Sequence, residues 1–140
     1  MAKVNPQDLK LYPHMYHNDI KIWKRFIAKF GKDYQRFEYD VKVGSGTGDI
    51  RGRRDAFSRM QQILSLYRID VLALRSENIE IIEVKPRATA GAIGQVLTYR
   101  ELFIRDNQPT QPVIPTIVTD YEMPDIRYLT NRLSIRYIVI

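Results

Sequence analysis

RIDVLALRSENIEIIEVK, residues 68–85, is the stretch on which the fold turns. It reads as two strands joined by the polar turn RSEN at 75–78. Side chains alternate between the faces of a strand. In the second strand Ile79, Ile81, Glu83 and Lys85 share one face, while Glu80, Ile82 and Val84 share the other. In the first, Asp70 shares its face with Leu66, Arg68, Leu72 and Leu74. A turn symmetric about Ser76 and Glu77 sets Leu74 opposite Ile79, Leu72 opposite Ile81 and Asp70 opposite Glu83. Opposed residues hold their Cβ atoms about 4.5–5.5 Å apart. Two carboxylates that close repel unless a positive charge stands between them. Lys85, two positions from Glu83, meets part of that need. A divalent cation such as Mg²⁺ or Mn²⁺ meets it better, with water, a backbone carbonyl or a substrate phosphate completing its oxygen shell. Such an ion neutralises and polarises a phosphodiester. A lysine beside the attacking water orients it and stabilises developing negative charge. Two acids and a lysine on this hairpin therefore point to phosphate-ester hydrolysis. The competing reading is an ion-paired network on an exposed sheet face.

Upstream, RFEYDVKV at 36–43 alternates and reads as a strand. GSGTGD at 44–49 is followed by Ile50, not by the Gly-Lys-Ser/Thr of a phosphate-cradling loop, which excludes nucleotide binding of that kind. It reads as a flexible loop leading into RGRRDAFSR, where Arg51, Arg53, Arg54 and Arg59 crowd together. That run either closes on a phosphate backbone or is a solvated charge run. Before it, Asn18 caps a helix with Asp19 in its first turn, where the helix dipole favours an acid. Ile20, Trp23, Phe26, Ile27 and Phe30 recur at helical spacing, and Gly31 ends the run. Lys21, Lys24, Arg25 and Lys29 fall outside that stripe, so the helix is core on one side and basic on the other. Residues 1–17 read as an irregular lead-in. Its Tyr12, His14, Tyr16 and His17 suit a surface or packing role better than metal ligation.

Downstream, a helix is expected from about Thr89 to Ile104. PVIPTIVT at 112–119 is a strand interrupted or opened by Pro115. Pro124 suits the first turn of another helix, with Ile126, Leu129 and Leu133 on its inner face. RYIVI at 136–140 closes the chain as a strand. The order α-β-β-β-α-β-α-β predicts an α/β fold, a mixed sheet flanked by helices, in one domain spanning 1–140.

Bulk composition agrees with one domain: 140 residues, 44% hydrophobic and 27% charged. The net charge of +6 and a pI near 9.6 favour a polyanionic partner such as nucleic acid. The absence of cysteine excludes disulfides, thiolate chemistry and Cys-based zinc sites. No signal peptide and no membrane span of about 18 unbroken apolar residues is legible. A soluble, cytoplasmic protein is expected, in the host cytoplasm if phage-encoded.

Asp70, then Glu83-Val84-Lys85 after a hairpin, then EVKPRATAGAIGQVLTYRELF with Gln95 and Tyr99, resembles the PD-(D/E)XK nuclease superfamily. It looks most like the RecB-like branch, whose signature includes Q-x-x-x-Y after the E-x-K strand. The tail IPTIVTDYEMPDIRYLTNRLSIRYIVI is similar to the end of the nuclease domain in NucS/EndoMS mismatch endonucleases. The likeness covers about residues 36–140 and implies a restriction-endonuclease-like core. It implies that Asp70 and Glu83 hold Mg²⁺ or Mn²⁺ with the Val84 carbonyl, and that Lys85 positions or activates the water. Gln95 and Tyr99, one helical turn apart, would support the site and a substrate phosphate. Gly91 and Gly94 would let the helix start close to the strands or to a nucleic-acid backbone. The family often carries an acid on its first helix. Here only Asp19 stands there, and it also serves the dipole. Arg68 precedes Ile69-Asp70, the dipeptide where the superfamily name would put Pro-Asp. The separate DNA-binding domain of the NucS type has no room in 140 residues, so mismatch specificity is not carried over.

The reading is thus a small metal-dependent deoxyribonuclease. Lys42, Arg87, Arg100 and the arginines of 51–59 would hold phosphates, and a homodimer would supply one site per strand of a duplex. A nuclease-like fold without catalysis, serving nucleic-acid binding or assembly, is the alternative from another class. An RNA-directed nuclease is a third.

Overall fold

The computed structural model describes residues 12, 15–46, 56–64 and 66–140, with the side chains of 61–64 outside the description. Five strands form one sheet in the order β1-β2-β3-β4-β5: β1 is Arg36–Val43, β2 Tyr67–Leu74, β3 Ile79–Val84, β4 Val113–Thr119 and β5 Arg136–Val139. β1, β2 and β3 run antiparallel to one another, whereas β3, β4 and β5 are parallel. Parallel neighbours need a crossover. The helices α3 (Ala90–Asn107) and α4 (Pro124–Arg132) supply the two crossovers. The first helix, α1 (His17–Phe30), is followed by a single 3-10 turn at Gly31–Asp33.

The hairpin has the register expected from its alternation. Leu74 pairs with Ile79 and Leu72 with Ile81. Each face of the sheet carries a core. On one, Ile79, Ile81, Leu72 and Ile117 pack with Ala92, Ile93, Val96 and Phe103 of α3 and Ile126 of α4. On the other, Val71, Ala73, Ile82, Val84 and Val118 pack with Ile22, Trp23, Phe26 and Ile27 of α1. A mixed sheet flanked by helices is therefore present.

Four local expectations are corrected. A further helix, α2 (Ala56–Leu64), stands between β1 and β2, so residues 56–59 of the arginine-rich run are helical and not loop. The first helix begins at His17 with Tyr16 as its N-cap, not at an Asn18 cap. β4 runs through Pro115 without interruption, because Pro115 pairs with Ile81 of β3 while β5 joins only from Thr116 onward. The proline sits where its missing N–H leaves no gap in a ladder. On α4, Ile126 and Thr130 face inward, whereas Leu129 and Leu133 are exposed.

Strict alternation also fails at one place. Phe37 and Tyr39 lie in the α1-side core, but Val43 and Val41 join the α3 side, although all four are odd-numbered. Val71 and Ile69 on β2 divide in the same way. Asp40 stands at the switch with φ +54°, a left-handed conformation that turns the following side chains over. The far end of the β1–β2 ribbon thereby curls toward α3, where the Gly44 N–H donates to Asp106 Oδ2 at 2.8 Å. This curl starts beside Asp70 and brings Tyr67 to the α3 side. No helix among the described residues is long and apolar enough to cross a membrane.

Candidate active site

The β2–β3 ladder stops at Val71–Ile82, one pair short of Asp70 and Glu83. There the side chains take over from the backbone. The Val84 N–H donates to Asp70 Oδ2 at 3.0 Å, and the Asp70 N–H reaches Glu83 Oε1 at 3.4 Å. Each carboxylate is thus held by the opposite strand's backbone. The two carboxyl groups face each other across this break in the ladder, so the charge of each acts on the other. Glu83 is sealed at 2% exposure, and Asp70 is half-buried.

Burial raises both acids above the ordinary carboxylate range. For Glu83 the shift is large, and the Asp70 charge adds to it. For Asp70 the Val84 amide and Lys85 pull the other way, while the charge of Asp19 pushes it further up. Among the described residues Lys85 is the cation paired with Glu83, its Nζ 4.0 Å from Glu83 Oε2, beyond hydrogen-bonding reach. It stays one-third exposed and open to solvent. The pair is under-compensated, which is the condition that a divalent ion or a shared proton relieves.

α3 brings the next two residues. Tyr99 lies over the acids, and its hydroxyl is pushed up to about 12, first by burial and then by the Glu83 and Asp70 charges. Gln95, one turn earlier on the helix, hydrogen-bonds to that hydroxyl. The Tyr67 ring, from the curled end of β2, sits 5.7 Å from the Tyr99 ring. Asp70, Glu83, Lys85, Gln95 and Tyr99 are therefore brought together. Tyr67 was not read from the sequence, since strict alternation turns it away from Asp70.

Asp19 occupies the third position of α1, buried, and accepts the Tyr16 N–H at 3.1 Å. It lies close enough for its charge to act on Asp70. Even so, no three acids or histidines among the described residues converge tightly enough to enclose a metal ion. A hard ion such as Mg²⁺ needs no such cage, because it binds through one or two carboxylates and keeps several waters. The donor set fits Mg²⁺ or Mn²⁺ on that basis.

The expected phosphate-holding residues divide. Arg87 is exposed two residues past Lys85, with its guanidinium 4.5 Å above the Tyr121 ring. Lys42 is exposed on β1 opposite Arg68. Arg59 is exposed on α2. Arg100 is engaged elsewhere: its Nε donates to the Val113 carbonyl at 2.6 Å and its Nη1 pairs with Glu101. Val113 pairs with Ile79, so Arg100 is pinned at the opposite end of the sheet from Glu83. A cavity of about 430 Å³ at that end, lined by Leu97, Arg100, Val113 and Leu133, holds no acid pair. Arg51, Arg53 and Arg54 lie outside the described residues. Among the described residues a Cβ at Gly94 would meet nothing within 4 Å and one at Gly91 would meet the Thr89 hydroxyl at 3.4 Å, so no described strand comes close to either glycine.

Sequence reasoning also passed over Glu80. It is fully buried on the α1 side, takes Thr116 Oγ1 at 3.1 Å and Arg136 Nη1 at 2.5 Å, and accepts the Tyr34 hydroxyl. These partners come from β4, β5 and the turn after α1, so no local pattern announces them. No protein-family model, curated protein or solved structure matches the chain.

Proposed function

We propose that this protein is a metal-dependent nuclease that hydrolyses phosphodiester bonds in DNA, on a restriction-endonuclease-like core of the PD-(D/E)XK type. The observation that carries the reading is the Asp70–Glu83 pair at the end of the hairpin, Glu83 sealed and Asp70 half-buried, with Lys85 open to solvent beside it. Asp70 and Glu83 would hold Mg²⁺ or Mn²⁺ together with the Val84 carbonyl. The bound ion would neutralise the phosphate and polarise its P–O bonds.

The chain's own groups then divide the work. Lys85 orients a water so that its oxygen bonds to phosphorus as the bond to the leaving sugar oxygen breaks, the water giving a proton to solvent and the leaving oxygen taking one from it, and the lysine charge offsets the negative charge that develops. Tyr99 keeps its proton at neutral pH, because burial and the two acids oppose ionisation. It can donate that proton in a hydrogen bond to a phosphate oxygen, with Gln95 fixing the hydroxyl. Arg87 and Lys42, both exposed, supply positive charge for the backbone of the substrate. If the substrate is a duplex, each strand needs a site and a homodimer follows.

The test is cleavage of labelled single-stranded, duplex and branched DNA in Mg²⁺, Mn²⁺ or EDTA, with wild type set against Lys85→Ala. Metal-dependent cutting that Lys85→Ala abolishes supports the reading. No cutting of any substrate, with salt-sensitive binding retained, moves the protein to the class of non-catalytic nucleic-acid-binding modules.

A further inference from the structure

Two exposed aromatic rings stand at the same end of the sheet as the acid pair, one on each side of β3. Tyr67, 52% exposed, opens β2 and is backed by Tyr99. Tyr121, 50% exposed, follows the end of β4 and is overlaid by the Arg87 guanidinium at 4.5 Å. Val84 pairs with Val118, so the chain leaving β3 and the chain leaving β4 run side by side. Thr119 clasps them: its Oγ1 donates to the Pro86 carbonyl at 3.0 Å and accepts the Tyr121 N–H at 3.4 Å. The Tyr137 hydroxyl, from β5, donates to the Tyr121 carbonyl at 3.3 Å. The Arg87–Tyr121 pair is therefore pre-positioned two residues from Lys85.

Large rings left half in water, with a cation stacked on one of them, have little to offer the core. They offer a flat surface to another π-system. Every nucleobase has such a face, but inside a duplex it is covered by its neighbours. A single strand brings its bases unstacked.

We propose that Arg87–Tyr121 and Tyr67 are base-stacking platforms flanking the acid pair, and that the substrate is a single DNA strand with splayed bases. This rests on the nuclease reading for the choice of nucleic acid. It removes the need for a second subunit, because one strand needs one site.

The experiment is fluorescence anisotropy of wild type and variants in EDTA, where no cutting occurs. The probes are a labelled single-stranded oligonucleotide, its duplex, and an abasic strand of equal length. The expected result is tighter binding to the single strand than to the duplex or the abasic strand. Tyr121→Ala should weaken single-strand binding roughly tenfold, leave duplex binding unchanged, and be rescued by Tyr121→Phe. Equal binding to all three probes, or no effect of Tyr121→Ala, overturns the proposal. The two readings fail separately. A chain that binds single strands through Tyr121 and cuts nothing with Mn²⁺ keeps the platform and loses the nuclease. A chain that cuts duplex DNA at the same rate with and without Tyr121 keeps the nuclease and loses the platform.

Discussion

Glu80 and Glu83 stand three residues apart on β3, both almost wholly removed from water, at 0% and 2% exposure. Their surroundings are opposite in sign. Glu80 meets a guanidinium and two hydroxyls, those of Arg136, Thr116 and Tyr34. Among the described residues Glu83 meets another carboxyl group, with the Lys85 ammonium held 4.0 Å away. Buried charge is costly unless it is paired and hydrogen-bonded. The fold meets that cost in full for Glu80, so Glu80 is structure. At Glu83 it leaves a deficit of positive charge beside an exposed lysine, which is where an ion and a phosphate would fit. The lesson is that burial alone does not mark a functional acid; an uncompensated neighbourhood does.

The comparison can be broken most severely at Lys85. Lys85→Ala should lower DNA cleavage by at least about a hundredfold, the effect of losing one pre-placed charge stabiliser, while the melting temperature changes little. Initial rates with Mn²⁺ and a thermal melt check both halves. At the other glutamate the pattern should invert. Arg136→Met leaves Glu80 buried beside two hydroxyls and no cation, and should destabilise the fold by about 3 kcal/mol. That is the low end for a broken buried pair, because Arg136 keeps 38% of its side chain in solvent. Urea denaturation measures this, and cleavage at a temperature where the variant is folded should be nearly that of wild type.

A subtler effect separates the two acids by pH. The Asp70–Glu83 pair binds its proton more tightly folded than unfolded, because both carboxyls are raised. Its stabilising contribution is therefore complete below about pH 4, the unfolded carboxylate range, and is lost as pH rises through the folded value. Without metal, Glu83→Gln should flatten that decline and raise the melting temperature at neutral pH by a few degrees. Melts across pH in EDTA would show it, and a variant that melts below wild type at neutral pH would contradict it. The smallest expected effect is at Gly94. A Cβ there meets nothing within 4 Å among the described residues, so Gly94→Ala should stabilise the helix by about 0.5–1 kcal/mol. If a substrate backbone passes close to Gly94, the same change weakens DNA binding.

The hairpin was legible because its alternation and its short polar turn fix the register, and a one-residue slip would carry Glu83 to the α1 face of the sheet and Ile82 to the α3 face. The acid pair and its lysine came with that register, and the helical spacing of Gln95 and Tyr99 added the other side of the site. What escaped reading depends on distant partners or on backbone turns. Glu80 is explained only by Tyr34, Thr116 and Arg136. Tyr67 reaches the site because Asp40 adopts a positive φ, which nothing in RFEYDVKV announces. Helix α2 was hidden by arginines that looked like a solvated run, although AFSRMQQIL contains several good helix formers. Leu129 and Leu133 followed the periodicity expected of a buried helix face, yet α4 turns Ile126 and Thr130 inward. Single exposed leucines are ordinary at a protein surface.

The most direct measurement is the melting temperature of the full chain at neutral pH, titrated with Mn²⁺ against EDTA, for wild type and Asp70→Ala. The account predicts a rise with Mn²⁺ in wild type that Asp70→Ala abolishes, since a ligand that binds only the folded state stabilises it. No shift in wild type, or the same shift in both proteins, would contradict the claim that the Asp70–Glu83 pair is a metal site.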